Sequence, residues 1–200
     1  MSTVPLKCRC GAVRGTLLDA SPTTGSRLVC YCRDCQAFAR FLGRPDVMDA
    51  AGGTDIFQVS PSQVRITDGL EHVACVRLFE KGLFRWYADC CKTPIGNMMG
   101  GGFPFIGVIV AFLEPGADGR TADDMLGASR GGIFGSEAIG GCPPGAHAKA
   151  SKRILLGIFK LVAGWAVRGK GHPQVFFGRD TKAPRVTPKV LTKGEREALR

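Results

Sequence analysis

The stretch CYCRDCQAF, residues 30–38, places three cysteines, Cys30, Cys32 and Cys35, within six positions. A structural zinc site takes four ligands and a disulfide takes two. Three thiols fit a metal site with one position left open, or one whose fourth ligand lies elsewhere. Residues i and i+2 of an extended segment point the same way, so Cys30 and Cys32 can reach one ion over Zn–S bonds of about 2.3 Å. Cys32-x-x-Cys35 turns through a knuckle that aims both sulfurs at one centre. Three thiolates on Zn²⁺ leave a net charge of about −1 and an open position for water or substrate. A metal-held thiol is deprotonated, and such a thiolate is a good partner for an electrophile.

Working outward, Cys8-Arg9-Cys10-Gly11 supplies two more sulfurs, and Cys90-Cys91 is an adjacent pair followed by Lys92-Thr93-Pro94. These point to a second zinc site. Adjacent residues of a strand face opposite ways, so both Cys90 and Cys91 reach one ion only from a turn; Cys91 is the first choice and Cys90 the second. The competing reading is that these four are buried apolar thiols, and for the triple that it is a redox motif. Cys75, within the strand pattern HVACVRLF, is expected in the core, and Cys142, before Pro143-Pro144, in a loop.

Two hundred residues, 44% hydrophobic and 22% charged, suffice for one globular domain with an appendage. The 28 glycines and 12 prolines argue against a large helical bundle. MSTVPLKCRCGAV has no long apolar run behind a basic start, so no secretory signal is expected and the location is read as cytoplasmic. In a reducing compartment, clustered cysteines bind metal more often than they pair, and nine is an odd number. The charge is uneven. Residues 149–200 carry 13 basic and 3 acidic residues, whereas residues 1–148 carry 14 of each. A basic tail invites nucleic acid, an anionic membrane surface or an acidic partner, or simply wraps back on the body.

The pattern of the first 113 residues is mostly β. Residues 1–20 read as a short strand pair, LVCYC (28–32) as a strand running into a turn, and QAFARFLGR (36–44) as a short helix. IFQVSPSQVRITDG (56–69) reads as strand, turn and strand. HVACVRLFEKGLFRWYAD (72–89) reads as a hairpin turning at Lys81-Gly82, and FIGVIVAFL (105–113) as a continuous core strand. Residues 114–150 are Gly-rich and loop-like, with a short helix near 121–127. SKRILLGIFKLVAGWAVRGK (151–170) predicts a basic amphipathic helix, with Lys149, Arg153, Lys160 and Arg168 on one stripe and a wide apolar face. It is too short to span a bilayer. Docking on the body or on a second copy of the chain is favoured over membrane-surface binding. The last thirty residues are expected to be extended, closing with a helical turn at KGEREALR. The domain plan is therefore 1–115, 116–150 and 151–200.

CRCGAV, CYCRDCQAF, DIFQVSP, RITDG and CKTP together resemble the family of glutathione-dependent formaldehyde-activating enzymes and centromere protein V. The resemblance implies a zinc-binding, β-sandwich-like (Mss4-like) domain over residues 7–113. In that family the first and last cysteine motifs hold a structural zinc, and the middle triple holds a second zinc at the catalytic site. Carried over, Cys8, Cys10 and Cys91 match structural ligands, and Cys30, Cys32 and Cys35 the catalytic set. The family's C-x-x-C-G departs here to Ala88-Asp89-Cys90-Cys91-Lys92, which leaves Cys90 to stand in as fourth ligand. The implied reaction is carbon–sulfur lyase chemistry on glutathione or another small thiol, S-hydroxymethylglutathione being the adduct. Arg33 and Arg40 are candidates to meet a substrate carboxylate. Asp34 reads as a turn residue. The alternative function is a non-catalytic, zinc-stabilised module whose basic tail contacts nucleic acid, membrane or protein.

Three features carry no chemistry. Gly127-Ala128-Ser129-Arg130-Gly131 spells a nucleophile elbow but lacks the flanking strand and helix. His72, His147 and His172 are scattered, and Gly100-Gly101-Gly102 lacks the Lys-Ser/Thr of a phosphate loop.

Overall fold

The computed structural model describes residues 3–114 and 119–200. The architecture is mainly β: two sheets built from eleven strands, with four α-helices, among the described residues. The small sheet has the order β1-β2-β5, from β1 (Thr3–Lys7), β2 (Arg14–Leu18) and β5 (Val64–Asp68), all antiparallel. The large sheet runs β10-β3-β4-β9-β8-β7-β6-β11. Its members are β3 (Ser26–Cys30), β4 (Thr54–Val59), β6 (Val73–Arg77), β7 (Phe84–Ala88), β8 (Thr93–Met98), β9 (Ile106–Ile109), β10 (Gly132–Ile133) and β11 (Lys189–Val190). Only the two short edge strands pair in parallel, β10 with β3 and β11 with β6.

Both faces of the large sheet are covered. Alternation sends Phe57, Trp86 and Val108 to one side, where they pack with Val4, Leu6, Leu17 and Val64 of the small sheet. The opposite side receives α1 (Arg33–Phe41), whose Ala37 and Phe38 pack on Val76, Tyr87 and Ile109. Beside it, Ile154 and Ile158 of α3 (Lys152–Val167) pack against Leu28, Cys30 and Ile56.

The strand pair, the 56–69 strands, the 72–89 hairpin and the long C-terminal helix lie where the sequence pattern places them, and a short α2 (Ala122–Leu126) sits in the Gly-rich segment. Four details depart from that pattern or go beyond it. The first helix begins at Arg33 rather than 36, because Cys32 is its N-cap and its sulfur accepts the Cys35 N–H at 3.4 Å. The run 105–113 breaks after Ile109 into a 3-10 turn, Val110–Phe112. β4 and β5 do not pair with each other but enter different sheets, separated at Ser60, whose side chain and that of Gln63 form a capping box. Strand β8 was not expected from Thr-Pro-Ile-Gly-Asn-Met. Pro94 sits beside a register shift between Trp86 and Tyr87, where a missing N–H is tolerated, and a Cβ on Gly96 would lie 2.9 Å from the Gly107 carbonyl.

The segment after α3 wraps back on the body. Phe176 and Phe177 are fully buried, with ring centroids 4.9 and 5.5 Å from Trp86. The terminal α4 (Lys193–Glu197) lies on α1, where Arg196 pairs with Asp34 at 3.3 Å and Arg40 donates to the Leu199 carbonyl at 2.8 Å. No helix among the described residues is long and apolar enough to cross a membrane.

Candidate metal centres

Two cysteine clusters arise from this arrangement, and in each the sulfurs all lie within 4.8 Å of one another. All nine cysteines are free thiols. The first cluster joins the loop between β1 and β2 to the turn between β7 and β8. Sulfur–sulfur distances are 3.5 Å for Cys8–Cys10, 3.9 Å for Cys8–Cys90, 3.4 Å for Cys10–Cys90 and 3.9 Å for Cys90–Cys91. Zn–S bonds of about 2.3 Å at the tetrahedral angle set neighbouring sulfurs about 3.8 Å apart, so the four positions fit a closed four-thiolate metal site. Residues 89–92 form a turn, which lets adjacent Cys90 and Cys91 face one point. The place that Ala88 fails to fill is taken by Cys90, while Ala88 itself is a core residue of β7. Lys92, at φ +56°, adopts the left-handed backbone that glycine prefers.

Hydrogen bonds support these sulfurs. The Val13 N–H donates to Cys8 Sγ at 3.2 Å. Thr93 Oγ1 accepts from the Arg9 N–H at 3.0 Å and from Arg44 at 3.3 Å, which leaves its own proton free to point at Cys91 Sγ, 3.1 Å away. Burial pushes the Cys91 thiol up, but hydrogen bonds from Thr93 and from the Cys10 backbone outweigh it and bring the pKa to about 6. Burial raises the Cys8 thiol.

The second cluster is Cys30, Cys32 and Cys35, at the junction of β3 and α1. Cys30 and Cys35 are buried, and Cys32 is half-buried. Hydrogen bonds to Cys32 and Cys35, then burial, raise the Cys30 thiol, whereas hydrogen bonds from Cys30 and Cys32, then the charge of Arg85, hold Cys35 well below the ordinary thiol range. Three thiolates this close repel one another, and a divalent cation removes that conflict.

Arg85 lies beneath the triple and is only 2% exposed. It has no carboxylate partner among the described residues; its guanidinium meets Cys35 Sγ at 3.9 Å, Asn97 Oδ1 at 3.2 Å and the Phe38 ring at 5.4 Å. A buried cation requires a compensating anion. Three thiolates around a divalent ion would carry about −1, a charge of the sign that Arg85 lacks as a partner. Beside them, a pocket of about 10 Å³ is lined by Cys35, Phe38, Thr54 and Asn97. The buried Thr54 hydroxyl there has no hydrogen-bond partner among the described residues. At the start of α1, Glu137 accepts the Arg33 N–H at 2.7 Å, and Gln36 donates to the Tyr31 and Glu137 carbonyls at 2.8 and 2.9 Å.

The other candidates lie elsewhere. Cys75 is buried in β6, where burial pushes its thiol up to about 12, and Cys142 is exposed. No histidine joins either cluster among the described residues. Arg40 and Asp34 are engaged by the C-terminal segment rather than by the triple. Ser129 sits in an exposed loop between α2 and β10. Arg85, Asn97, Thr54 and Thr93 were not singled out from sequence. The signal for Arg85 was its place in Phe84-Arg85-Trp86, where alternation reads as a solvent-facing side unless both faces of the sheet are known to be covered.

A family model described as a family of unknown function, DUF6151, matches residues 1–185. The chain belongs to the DUF6151 family. In this DUF6151 protein the match takes in both cysteine clusters and continues through α3. No curated protein matches the chain. A Rhodobacter sphaeroides protein of known crystal structure is similar at 22% identity, with a TM-score of 0.40, over 62% of this chain and 96% of that one.

Proposed function

We propose that the chain is a zinc-dependent, carbon–sulfur lyase-like protein that acts on glutathione or other small thiol–aldehyde adducts. Its chemistry belongs to the Cys30, Cys32 and Cys35 centre. The observation that carries this reading is the contrast between the two clusters: four sulfurs at Cys8, Cys10, Cys90 and Cys91, but only three at Cys30, Cys32 and Cys35, where the buried Arg85 contacts Cys35 and has no carboxylate partner among the described residues. An all-sulfur donor set suits Zn²⁺ among the common divalent ions. When bound, zinc would supply Lewis-acid polarisation of a thiol or an oxygen. The chain's own part is to hold three thiolates, to balance their charge with Arg85, and to shield the centre beneath α1. In the reaction a thiol adds across the carbonyl of formaldehyde: the C–S bond forms and the thiol proton passes to the oxygen, giving the S-hydroxymethyl adduct. The lyase direction reverses each change. The resemblance of CRCGAV, CYCRDCQAF and CKTP to the formaldehyde-activating family supports the reading. Within it, residues 1–115 form the zinc unit, 116–150 a connecting region, and 151–200 the basic helix and tail.

A second reading has its own support. The pocket beside Cys35 is about 10 Å³, roughly one water in size, which favours a non-catalytic zinc-stabilised module. Metal analysis and turnover separate the two. The purified chain is expected to hold about two zinc ions, and Cys35→Ser about one. If the parent turns over S-hydroxymethylglutathione and folded Cys35→Ser does not, the enzyme reading stands. An intact, zinc-loaded chain with no turnover favours the module, and a chain without zinc defeats both.

A further inference from the structure

Helix α3 is docked by one side only. Ile154, Ile158 and Trp165 face the body, whereas Leu156, Phe159 and Val167 are 55%, 68% and 89% exposed. Turning 100° per residue puts Leu156, Ala163 and Val167 on the outward line, with Lys152 and Lys160 bordering it. The apolar surface continues into an open groove of about 270 Å³, where Leu155, Phe159 and Val162 stand opposite Met99, Phe103 and Phe105 of the β8–β9 connection. Met99 is itself 58% exposed. Exposed apolar side chains that cluster in this way beside cations have the character of an interaction surface.

Charge decides what covers it. α3 contains no acidic residue, and Lys152, Arg153, Lys160 and Arg168 are exposed without a carboxylate partner among the described residues. A second copy docked face to face about a two-fold axis would set these cations against their own equivalents. Nucleic acid would meet the cations but leave Phe159 and Val167 in water. A surface of anionic lipid headgroups satisfies both, since the apolar side chains enter the acyl boundary while the lysines and arginines meet the headgroups. We propose that the outward face of α3, with Met99 and Phe103, is a docking surface for an anionic membrane, on which the helix lies in the plane of the interface.

Vesicle co-sedimentation of the full zinc-loaded chain tests this, with phosphatidylcholine vesicles and with vesicles of phosphatidylcholine mixed with phosphatidylserine. The chain should sediment with the anionic vesicles, and less so as salt is raised. Phe159→Glu should weaken binding roughly tenfold or more, with circular dichroism and zinc content unchanged, because the side chain it replaces is already in water. The pair Lys152→Glu and Lys160→Glu should abolish the preference for phosphatidylserine. No sedimentation with anionic vesicles would overturn the proposal, as would full binding by Phe159→Glu. A concentration-dependent dimer dissolved by Phe159→Glu, without vesicle binding, would assign the face to a second copy instead. Binding of a DNA duplex unaffected by Phe159→Glu, again without vesicle binding, would assign the basic stripe to nucleic acid.

Discussion

Arg85 is a buried cation whose nearest anion-forming group is a thiol. That makes its contribution conditional on the charge state of the triple. With metal bound, Arg85→Met leaves a centre of about −1 buried and unbalanced, and should lower stability by about 3–5 kcal/mol. After chelation the same substitution should cost much less, because the thiols can then take up protons; denaturant melts with and without chelator measure the difference. Lys92 gives a second residue-level outcome. A side chain at φ +56° carries strain of about 1–2 kcal/mol, and glycine relieves it while adding freedom to the unfolded chain. Lys92→Gly should therefore leave the melting temperature unchanged or higher, whereas β-branched Lys92→Val should lower stability by about 1–2 kcal/mol. Of these features the cysteines were legible, since C-x-C and C-x-x-C spacings constrain sulfur directions by themselves. Arg85 was not, because its burial depends on a helix contributed from elsewhere in the chain.

Elements whose residues share one period could be read directly, such as the β6–β7 hairpin and α3. Elements defined by their neighbours could not. β8 contains Pro94 and Gly96 and is a strand because β7 and β9 flank it and because only hydrogen fits against the Gly107 carbonyl. The start of α1 was likewise hidden, since a cysteine is not an ordinary N-cap; here its sulfur accepts the Cys35 N–H. The segment after α3 looked like an appendage by charge, yet Phe176 packs at a tilt against Trp86 within the main core. Phe176→Ala should therefore lower stability by about 3–5 kcal/mol, a core-sized loss that urea titration would distinguish from the negligible effect expected of a loose tail.

For the molecule as a whole, the four-sulfur cluster brings together residues 82 positions apart, from loops of the two sheets, and with metal bound it would tie those sheets to each other. The triple closes only a local turn. Cys10→Ser should therefore depress the melting temperature more than Cys35→Ser does, although each removes one ligand from one centre, because closing a long loop restricts the unfolded chain more. Calorimetry on the two zinc-loaded variants would check the order. The mainly β make-up was legible in alternation and turn spacing; the division into two sheets, and which strands join which, was not, since pairing of distant strands leaves no local signature. The separation also sets a timetable. A ribosome adding about 5–20 residues per second takes about 4–16 s to make the roughly 80 residues between Cys10 and Cys90. Over that interval the first sulfur pair has emerged without its partners, whereas Cys30, Cys32 and Cys35 emerge together. Metal loading during synthesis should accordingly run from the triple to the four-sulfur cluster, which is complete before β10 and β11 of the larger sheet have been made.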